Sequence, residues 1–341
     1  MNSNDLLLLK GDEIDRLLCG RENGVLEAVR LAYQIHAQGN TAMPPNAYLR
    51  FPGMEKERII AKPAYLGDSF NVAGIKWIAS FPNNIVRNME RASAILILNS
   101  VETGQPVAVM ESSIISAKRT AASAALAARY LWTKDSVTTI SLIGCGLINY
   151  EILRFLLAVY PMIESVYLYD LSQVRAEEFK SKTRHMDVKL NIQIKESLAA
   201  AVQASSIISL ATTAIAPYIN SLPELMENAV LLNVSLRDVS ANIILQADNT
   251  VDDIDQVCSN QTSIHLAQQQ VGHNAFIRTT IGNILNGDAI FRDTEKPFAI
   301  YSPFGLGILD IAVAHLTQRL ALAQKVGTTI EAFLPKPWLE R

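Results

Sequence analysis

The sequence has few cysteines and no long apolar run, and both absences narrow what the protein can be. Its three cysteines, Cys19, Cys145 and Cys258, lie far apart without the spacing of a disulfide framework or a zinc site. No run approaches the roughly 20 apolar residues that cross a bilayer. The apolar part of the N-terminal "MNSNDLLLLKGDE" is too short for the core of a signal peptide. The sequence therefore predicts a cytoplasmic protein that has no membrane partner.

Several catalytic and binding motifs are also missing. There is no G-x-S-x-G, P-loop or H-E-x-x-H pattern, and the five histidines show no ligand spacing. A net charge of −3, without a basic stripe carrying interleaved aromatics, argues against nucleic acid as a partner. We therefore expect neither a resident metal nor a nucleic-acid interface.

The first third of the chain reads as an α+β region. Residues 11–38 carry two helical patterns, and strand-like runs follow: "RIIAKPAYL", "VAGIKWIAS", "ASAILILNS" and "QPVAVMES". The segment "VETG" between the last two is typical of a hairpin turn. Consecutive strands without intervening helices predict an antiparallel sheet.

From about residue 116 the pattern changes to strands that alternate with helices. The strands "TISLIG" and "AVLLNVS" are fully apolar, as strands covered on both faces of a parallel sheet are. This region predicts an α/β domain with a parallel sheet. The late stretch "GLGILDIAVAHLTQRLALAQ" predicts a long amphipathic helix. Its expected apolar stripe consists of Ile308, Ile311, Ala312, Leu316 and Leu320.

The stretch "ISLIGCGLINYE" (residues 140–151) reads as a strand, a glycine turn and a helix, the arrangement that binds dinucleotides. Gly144 permits the tight turn and Gly146 lets a pyrophosphate approach, whereas Asn149 stands where the third glycine of the fingerprint belongs. Asp170 ends the next strand, where an acid binds ribose hydroxyls and repels a 2′-phosphate. The turn predicts an NAD site; the alternative is a glycine turn that binds no nucleotide.

Three charged residues stand where a nicotinamide enzyme needs acid–base or binding groups. Asp238 follows an apolar strand, with a helix N-cap or a loop acid as the alternative. Lys76 interrupts an apolar strand, where a charge is costly unless it is paired or functional. The alternative is a lysine on an edge strand that points to solvent. Arg119 lies in the first turns of a helix, where a bound carboxylate or Glu111 would compensate its charge.

Four stretches resemble the ornithine cyclodeaminase/mu-crystallin family: "GIKWIASFPNN", "ETGQPVAVMESSIISAKRTAASAALAARYL", "ISLIGCGLINYE" and "SPFGLGILDIAVAH". The resemblance covers nearly the whole chain. Within the family, "RNMERASAILILN" and "NVSLRDV" look most like the bacterial branch that forms 2,3-diaminopropionate for siderophores and peptide antibiotics. That branch oxidises N-(2-amino-2-carboxyethyl)-L-glutamate with NAD and releases 2-oxoglutarate.

The resemblance implies a Rossmann domain inserted into an α+β domain that binds substrate and mediates dimerisation. The expected boundaries are 1–115 plus 312–341 for the substrate domain and 116–311 for the NAD-binding domain. Two chains are expected to form a homodimer through their antiparallel sheets. The substrate is a small amino acid conjugate, and a pyridoxal-phosphate-dependent synthase is the expected pathway partner.

The resemblance also implies roles for individual residues. Arg50, Lys76 and Arg119 match the family's substrate-carboxylate residues, and Asp238 matches its catalytic aspartate, with Lys76 as a second catalytic group. Asp238 would assist proton loss from the secondary amine and act as acid/base when water adds to the resulting imine. The expected cofactor-binding residues are Gly144, Cys145, Gly146, Leu147, Ile148, Asp170, Thr120 and Ser235.

Three departures from the cyclodeaminases argue against the cationic substrate ornithine. A lysine four residues after the aspartate is Asn242 here, a serine before the C-terminal glycine motif is Pro303, and a threonine near the cofactor is Arg91. A substrate with several carboxylates favours Arg91 as an added cation, unless Arg91 pairs with Glu90 or Glu102. Lys62 is a second possible cation.

Other functions within the resemblance stay open. The chain could instead be an ornithine cyclodeaminase, a ketimine reductase or an alanine dehydrogenase. It could also be a ligand-binding protein that depends on NAD(P)H without turnover, as mu-crystallins can be. Asp238 together with three cations disfavours that last alternative.

Overall fold

The computed structural model describes residues 4–134, 136–186 and 189–340. The internal contacts divide the chain into two compact units. The first unit comprises Met1–Arg119 and Leu306–Arg341, and the second comprises Thr120–Gly305. The second unit is therefore inserted between the two segments of the first.

The N-terminal segment carries most strands of the first unit. Its elements are β1 (Leu6–Leu9), α1 (Gly11–Leu18), α2 (Glu22–Ala37), β2 (Thr41–Ala42), β3 (Ala47–Phe51), β4 (Met54–Leu66), β5 (Val72–Ser80), a 3-10 helix (Pro82–Arg87), β6 (Ala92–Ser100), β7 (Pro106–Glu111) and the first residues of α3 (Ser113–Leu131). The division between the two units falls within α3, after Arg119. The leucine run at the N-terminus forms β1, and both helical patterns expected in residues 11–38 are present as α1 and α2.

The second unit alternates strands and helices. Its elements are β8 (Thr139–Ile143), α4 (Leu147–Val159), β9 (Ser165–Tyr169), α5 (Gln173–Thr183), β10 (Asn191–Ile194), α6 (Leu198–Gln203), β11 (Ile207–Leu210), β12 (Val230–Asn233), α7 (Ala241–Gln246), β13 (Asp248–Val251), α8 (Ile254–Val257), α9 (Ser263–Val271), β14 (Ile277–Thr280), α10 (Ile281–Asn286) and β15 (Ala299–Ser302). The chain then returns to the first unit with α11 (Gly307–Gln324), β16 (Thr328–Ile330) and a 3-10 helix (Trp338–Glu340).

The sheet of the second unit is entirely parallel, in the order β10-β9-β8-β11-β12-β15-β13-β14. The order reverses between β8 and β11, which is the switch point at which open α/β sheets bind ligands. The alternating pattern predicts strands at "TISLIG", "SVYLYD", "LNIQIK", "SSIISLATT" and "AVLLNVS", and these five are confirmed as β8 to β12. The fold class, a Rossmann-type domain inserted into an α+β domain, is also confirmed.

The sheet of the first unit has the order β16-β1-β7-β6-β5-β4-β2, with β3 also paired to β4. Strands β4 to β7 are antiparallel, as expected, and β6 and β7 form the hairpin around "VETG". Helix α11 packs on one face, which we call the inner face. A Cβ added to Gly74 of β5 would lie 2.8 Å from the Ile311 Cδ1 atom and 2.3 Å from the Ile97 carbonyl oxygen. Glycine at this position therefore lets α11 approach the sheet closely.

Helix α11 departs from the stripe that the sequence predicts. Every residue from Gly307 to Ala314 is buried, and only from His315 onward do partly exposed positions appear. The physical reason is that α11 packs against β4 and β5 on one side and against α1 and α2 on another. The prediction of a simple amphipathic helix is therefore wrong for its first half. Among the described residues, no helix is long and apolar enough to cross a bilayer.

Candidate functional site

The glycine turn after β8 is held by steric and hydrogen-bond constraints. Gly144 has a φ of +93°, and a Cβ there would lie 2.5 Å from the Ala211 carbonyl oxygen, so only glycine fits. Gly146 is the N-cap of α4 with a φ of −114°, and a Cβ there would meet nothing within 4 Å. No side chain caps α4 at Gly146, so its first N–H groups are available to an anion.

Asn149 occupies the position of the third fingerprint glycine, and its side chain forms three hydrogen bonds. Its Nδ2 donates to the carbonyl oxygens of Ile143 (2.9 Å) and Gly144 (2.7 Å). Its Oδ1 accepts from the Ser209 hydroxyl on β11 (2.7 Å), and the side chain is fully buried. Asn149 thus ties the turn to two strands, a function that the sequence fingerprint does not contain.

Asp170 contacts the turn directly. Its Oδ2 accepts from the Cys145 backbone N–H (2.8 Å), and its Oδ1 accepts from the Ser172 N–H (2.9 Å). The half-buried carboxylate therefore lies beside the turn at the end of β9, the place of a ribose-binding acid. Burial and the nearby Asp170 raise the pKa of the Cys145 thiol to about 12, so it stays neutral.

The other expected cofactor residues are less closely grouped. Leu147 and Ile148 begin α4, and Leu147 is exposed. Ser235 follows β12, and its hydroxyl donates to the Leu210 carbonyl (3.0 Å). Thr120 lies within α3 and is half-buried.

Asp238 lies in a buried group of hydroxyls after β12. Its Oδ1 accepts a hydrogen bond from the Thr212 hydroxyl, and the Tyr218 hydroxyl also hydrogen-bonds the carboxylate. Its Oδ2 is buried and has no hydrogen-bond partner among the described residues. Ser240, and not Asp238, is the N-cap of α7, so the capping alternative does not describe this carboxylate.

The pKa of Asp238 is raised above its ordinary value because burial disfavours the charged form. The hydrogen bonds from Thr212 and Tyr218 oppose that effect. The turn, Asp170, Thr212 and Asp238 follow β8, β9, β11 and β12 respectively. They therefore share the carboxyl edge of the second sheet, where α/β enzymes bind their ligands.

The first unit contains a buried group of cations. Lys76 lies on β5 with 1% of its surface exposed, and its Nζ is 2.7 Å from Asp310 Oδ2 and 3.0 Å from the Ser116 hydroxyl. Arg119 donates from Nε to Asp310 Oδ1 (3.0 Å) and lies 3.4 Å from the Ser116 hydroxyl. One carboxylate, in the first turn of α11, thus holds two cations.

This arrangement excludes two alternative interpretations. Lys76 is on a central strand and buried, so it is not an edge lysine that faces solvent. Glu111 binds the N-terminus of α3 instead of Arg119: its Oε1 accepts from the Ser113 N–H at 2.6 Å, and its Oε2 accepts from the Ile114 N–H.

The charges in this group shift each other's pKa values. Burial, with Arg119 and Lys62 nearby, lowers the pKa of Lys76 to about 7, against the opposing effect of Asp310. Burial alone would raise the pKa of Asp310, but Arg119 and Lys76 outweigh it and hold that pKa below the ordinary range. Lys62 is opposite Lys76 in the β4–β5 register and is also buried. Two cations that share one carboxylate can bind a further carboxylate.

Arg50 and Arg91 lie elsewhere in the first unit. Arg50 is exposed on β3, directly opposite Arg58 of β4. Arg91 precedes β6 and is half-buried. Within the described part of the chain, Arg91 forms no ion pair with Glu90 or Glu102 (no side-chain N and O within 4 Å), so that alternative is wrong.

Comparisons with known proteins identify the family. The model of the ornithine cyclodeaminase/mu-crystallin family matches residues 16–325. The chain belongs to this family. It is 31% identical over 337 residues to the Staphylococcus aureus N-((2S)-2-amino-2-carboxyethyl)-L-glutamate dehydrogenase, covering 97% of this chain and 100% of the relative. It is 29% identical to the Archaeoglobus fulgidus alanine dehydrogenase, covering 96% and 99% of the two chains.

Two solved structures share the fold of this chain. An archaeal alanine dehydrogenase dimer with bound NAD superimposes with a TM-score of 0.84 at 28% identity, over 96% of this chain and 99% of that chain. The Thermococcus litoralis Δ1-pyrroline-2-carboxylate reductase, in complex with NADH and L-proline, has a TM-score of 0.86 at 24% identity, over 95% and 100% of the chains.

Within this family member, sequence reasoning missed three residues of the described sites: Asp310, Thr212 and Tyr218. The sequence could have indicated Asp310, because an aspartate within the apolar run "GILDIAVA" is as anomalous as Lys76 in its strand. No sequence pattern indicates Thr212 or Tyr218, because their approach to Asp238 depends on how the loops after β11 and β12 converge.

Proposed function

We propose that the protein is an NAD-dependent dehydrogenase acting on a CH–NH donor, and that its substrate is N-(2-amino-2-carboxyethyl)-L-glutamate. The products would be L-2,3-diaminopropionate and 2-oxoglutarate. The observation that carries the proposal is the pair of buried cations, Lys76 and Arg119, that share one carboxylate. Family membership supports the reaction class, and the Staphylococcus aureus relative supports the substrate.

The glycine turn fits the proposed cofactor. Glycine is required at Gly144, the space beside Gly146 is open, and the N-terminus of α4 offers N–H groups to a pyrophosphate. Asp170 would accept hydrogen bonds from ribose hydroxyls, which favours NAD over NADP. Bound NAD supplies the acceptor for the hydride that leaves the glutamate Cα.

The chain's own residues supply binding and proton transfer. Lys76 and Arg119 would bind the substrate carboxylate next to the reacting carbon, with Asp310 fixing both side chains. Asp238 would take the proton of the secondary amine, and later assist water as it adds to the imine and the carbinolamine as it collapses. A buried carboxylate with a raised pKa suits both steps, because it accepts a proton more readily than an ordinary aspartate and can then return it.

The positive charge of the first unit supports a substrate with several carboxylates. Arg50, Arg91 and Lys62 add to Lys76 and Arg119, and a cationic substrate such as ornithine would be repelled by this set. The added cations would bind the remaining carboxylates of the conjugate.

The direct test is turnover. We expect the purified protein, given NAD and the conjugate, to produce reduced cofactor together with 2-oxoglutarate and 2,3-diaminopropionate in equal amounts. We expect Asp238→Asn to lower kcat by roughly 10²- to 10⁴-fold, the usual contribution of a general acid–base group. The control Asp288→Asn changes an exposed acid of the same unit and should leave kcat unchanged. Unaltered turnover in Asp238→Asn would remove that residue from the mechanism.

A second candidate is alanine dehydrogenase, favoured by the 29% identical Archaeoglobus fulgidus relative. A panel of alanine with NAD, ornithine, and cyclic imines with NADH separates this activity from cyclodeaminase and ketimine reductase activity. Cofactor binding without turnover of any of these substrates would instead identify a mu-crystallin-like binding protein.

We also propose a cytoplasmic homodimer that pairs through the outer face of the first sheet, opposite α11. Leu49, Trp77 and Ile95 all point to this face, with Trp77 directly opposite Ile95, and each is at least 40% exposed. An apolar patch of this kind marks an interaction surface. The archaeal alanine dehydrogenase described above is a dimer, which supports a second copy as the occupant.

The proposed reaction implies a place in biosynthesis. Its substrate joins a diamine to glutamate, so a synthase that forms carbon–nitrogen bonds with pyridoxal phosphate would supply it, and the diamine would enter a siderophore or peptide antibiotic. A gene for such a synthase beside the gene for this protein would support this part of the proposal.

A further inference from the structure

A second group of cations lies on the inner face of the first sheet. Arg50 and Arg58 are direct partners in the β3–β4 register, and Ser80 is opposite Arg58 on β5. Lys62 is opposite Lys76 in the same β4–β5 ladder, so Arg58 and Lys62 point to the same face. Arg58 and Lys62 are four positions apart along β4, which corresponds to about 13 Å between their backbones at the usual rise of a strand.

Within the described part of the chain, the guanidinium groups of Arg50 and Arg58 form no ion pair with a carboxylate. Arg50 stacks over the Tyr48 ring at 5.8 Å, and Arg58 donates from Nη1 to the Lys56 carbonyl at 3.3 Å. Like charges directly opposite each other destabilise a sheet. An anion bound between these arginines would remove that repulsion.

Two further observations indicate a ligand at this position. Burial and the charge of Arg58 lower the pKa of Arg91, so Arg91 lies close enough to Arg58 to feel its charge. The Ser80 hydroxyl is buried and has no hydrogen-bond partner among the described residues. Buried hydroxyls normally find a partner, and a carboxylate oxygen would provide one.

We propose that Arg58, with Arg50, Arg91 and the Ser80 hydroxyl, forms a second anion subsite that binds the side-chain carboxylate of the glutamate part of the substrate. This inference rests on the proposed function, and it makes Arg58 a specificity residue. The Lys76–Arg119 pair binds the carboxylate next to the reacting carbon. A monocarboxylate substrate such as alanine fills only that first position, whereas a dicarboxylate fills both.

The test compares two keto acids that differ in the distal carboxylate. Calorimetry with the NAD-loaded full chain measures the Kd of 2-oxoglutarate and of pyruvate, neither of which is oxidised. We expect the wild type to bind 2-oxoglutarate at least roughly tenfold more tightly, the effect of one charge-assisted hydrogen bond. In Arg58→Gln that preference should fall to about twofold or less while the Kd of pyruvate stays the same, since only the distal interaction is removed.

Controls separate charge from position. Arg16→Gln removes the same charge from an exposed position on α1 and should keep the preference for 2-oxoglutarate. Arg58→Lys retains a cation and should keep part of the preference for 2-oxoglutarate. This variant replaces Arg58→Gln in the test if Arg58→Gln fails to fold. The subsite would be overturned if Arg58→Gln kept the full preference for 2-oxoglutarate or lost affinity equally for both acids. A wild type that binds the two acids equally well would also overturn it. A wild type that shows the Arg58-dependent preference but does not turn over the conjugate would refute the proposed substrate and keep the subsite.

Discussion

Asp238 combines burial with two hydroxyl donors, and the balance between them sets where it titrates. Burial raises its pKa, and the Thr212 and Tyr218 hydrogen bonds lower it. Hydrogen bonds to the charged form of a carboxyl favour that form. The two hydroxyls therefore keep a buried acid ionised at a pH at which burial alone would leave it protonated.

Replacing Tyr218 by phenylalanine tests this balance. The loss of the hydroxyl should raise the pKa of Asp238 further, because one stabilising contact of the carboxylate is lost. Since the base must be ionised, activity declines as pH falls through that pKa, so the acid limb of kcat/KM should move to higher pH. The measurement is the pH profile of kcat/KM for wild type and Tyr218→Phe.

Tyr160→Phe is the matched control, because the Tyr160 hydroxyl is buried without a hydrogen-bond partner among the described residues. Its acid limb should coincide with that of the wild type. An acid limb in Tyr218→Phe that also coincides, or that moves to lower pH, would mean that Tyr218 does not stabilise the ionised carboxyl.

Single residues differ in how far the sequence predicts their surroundings. A charge inside an apolar strand indicates a buried partner, and Lys76 does pair with a buried carboxylate. The aspartate at 310 is visible as an anomaly in its apolar run, but its pairing with Lys76 could not be predicted, because the two residues are more than 200 positions apart in the chain. Long-range pairings of this kind are fixed by packing, and no local pattern indicates which two residues meet.

At the level of elements, the turn between β8 and α4 uses its two glycines for different reasons. Gly144 has a positive φ and no room for a Cβ, whereas Gly146 has an ordinary φ and open space. The fold therefore requires glycine at position 144 but not at position 146, where the proposed cofactor would need the open space.

This difference predicts opposite behaviour of two alanine variants. Gly144→Ala should lower the free energy of unfolding by at least about 1 kcal/mol, because it strains the backbone and collides with Ala211. Gly146→Ala should leave that stability nearly unchanged and weaken NAD binding, because the new methyl group occupies the space that the pyrophosphate approaches. Urea unfolding and NAD titration of both variants measure the two effects. Equal losses of stability in both would contradict this division.

Among the buried strands of the second unit, three apolar strands were predicted and a polar strand was missed. Strands β8, β11 and β12 are apolar and were predicted, whereas β13 (Asp248–Val251) is equally buried but mostly polar. Asn249 donates to the carbonyls of Ile244, Ala247 and Phe276, and Asp248 pairs with Arg278 at 2.6 Å. These contacts form only in the folded chain, so the sequence pattern cannot indicate them.

For the whole molecule, the oligomeric state tests whether two chains pair through the exposed outer face of the first sheet. Trp77→Asp places a charge in the middle of the proposed dimer interface and should shift the protein from dimer to monomer. Light scattering coupled to size exclusion measures the mass directly.

Met162→Asp introduces the same charge at an exposed apolar residue of the second unit and should leave the mass unchanged. A monomeric wild type, or a Trp77→Asp protein that stays dimeric, would contradict pairing through this face.

The first unit is completed only by the last part of the chain, since β16 pairs with β1 and α11 covers the inner face. During synthesis the ribosome releases Lys76 and Arg119 long before Asp310, and the whole inserted unit emerges in between. Until the tail is translated, both cations lack their counter-ion and the leucine-rich start of the chain lacks one neighbouring strand. We therefore expect the front segment to complete its sheet only after the last segment has been translated.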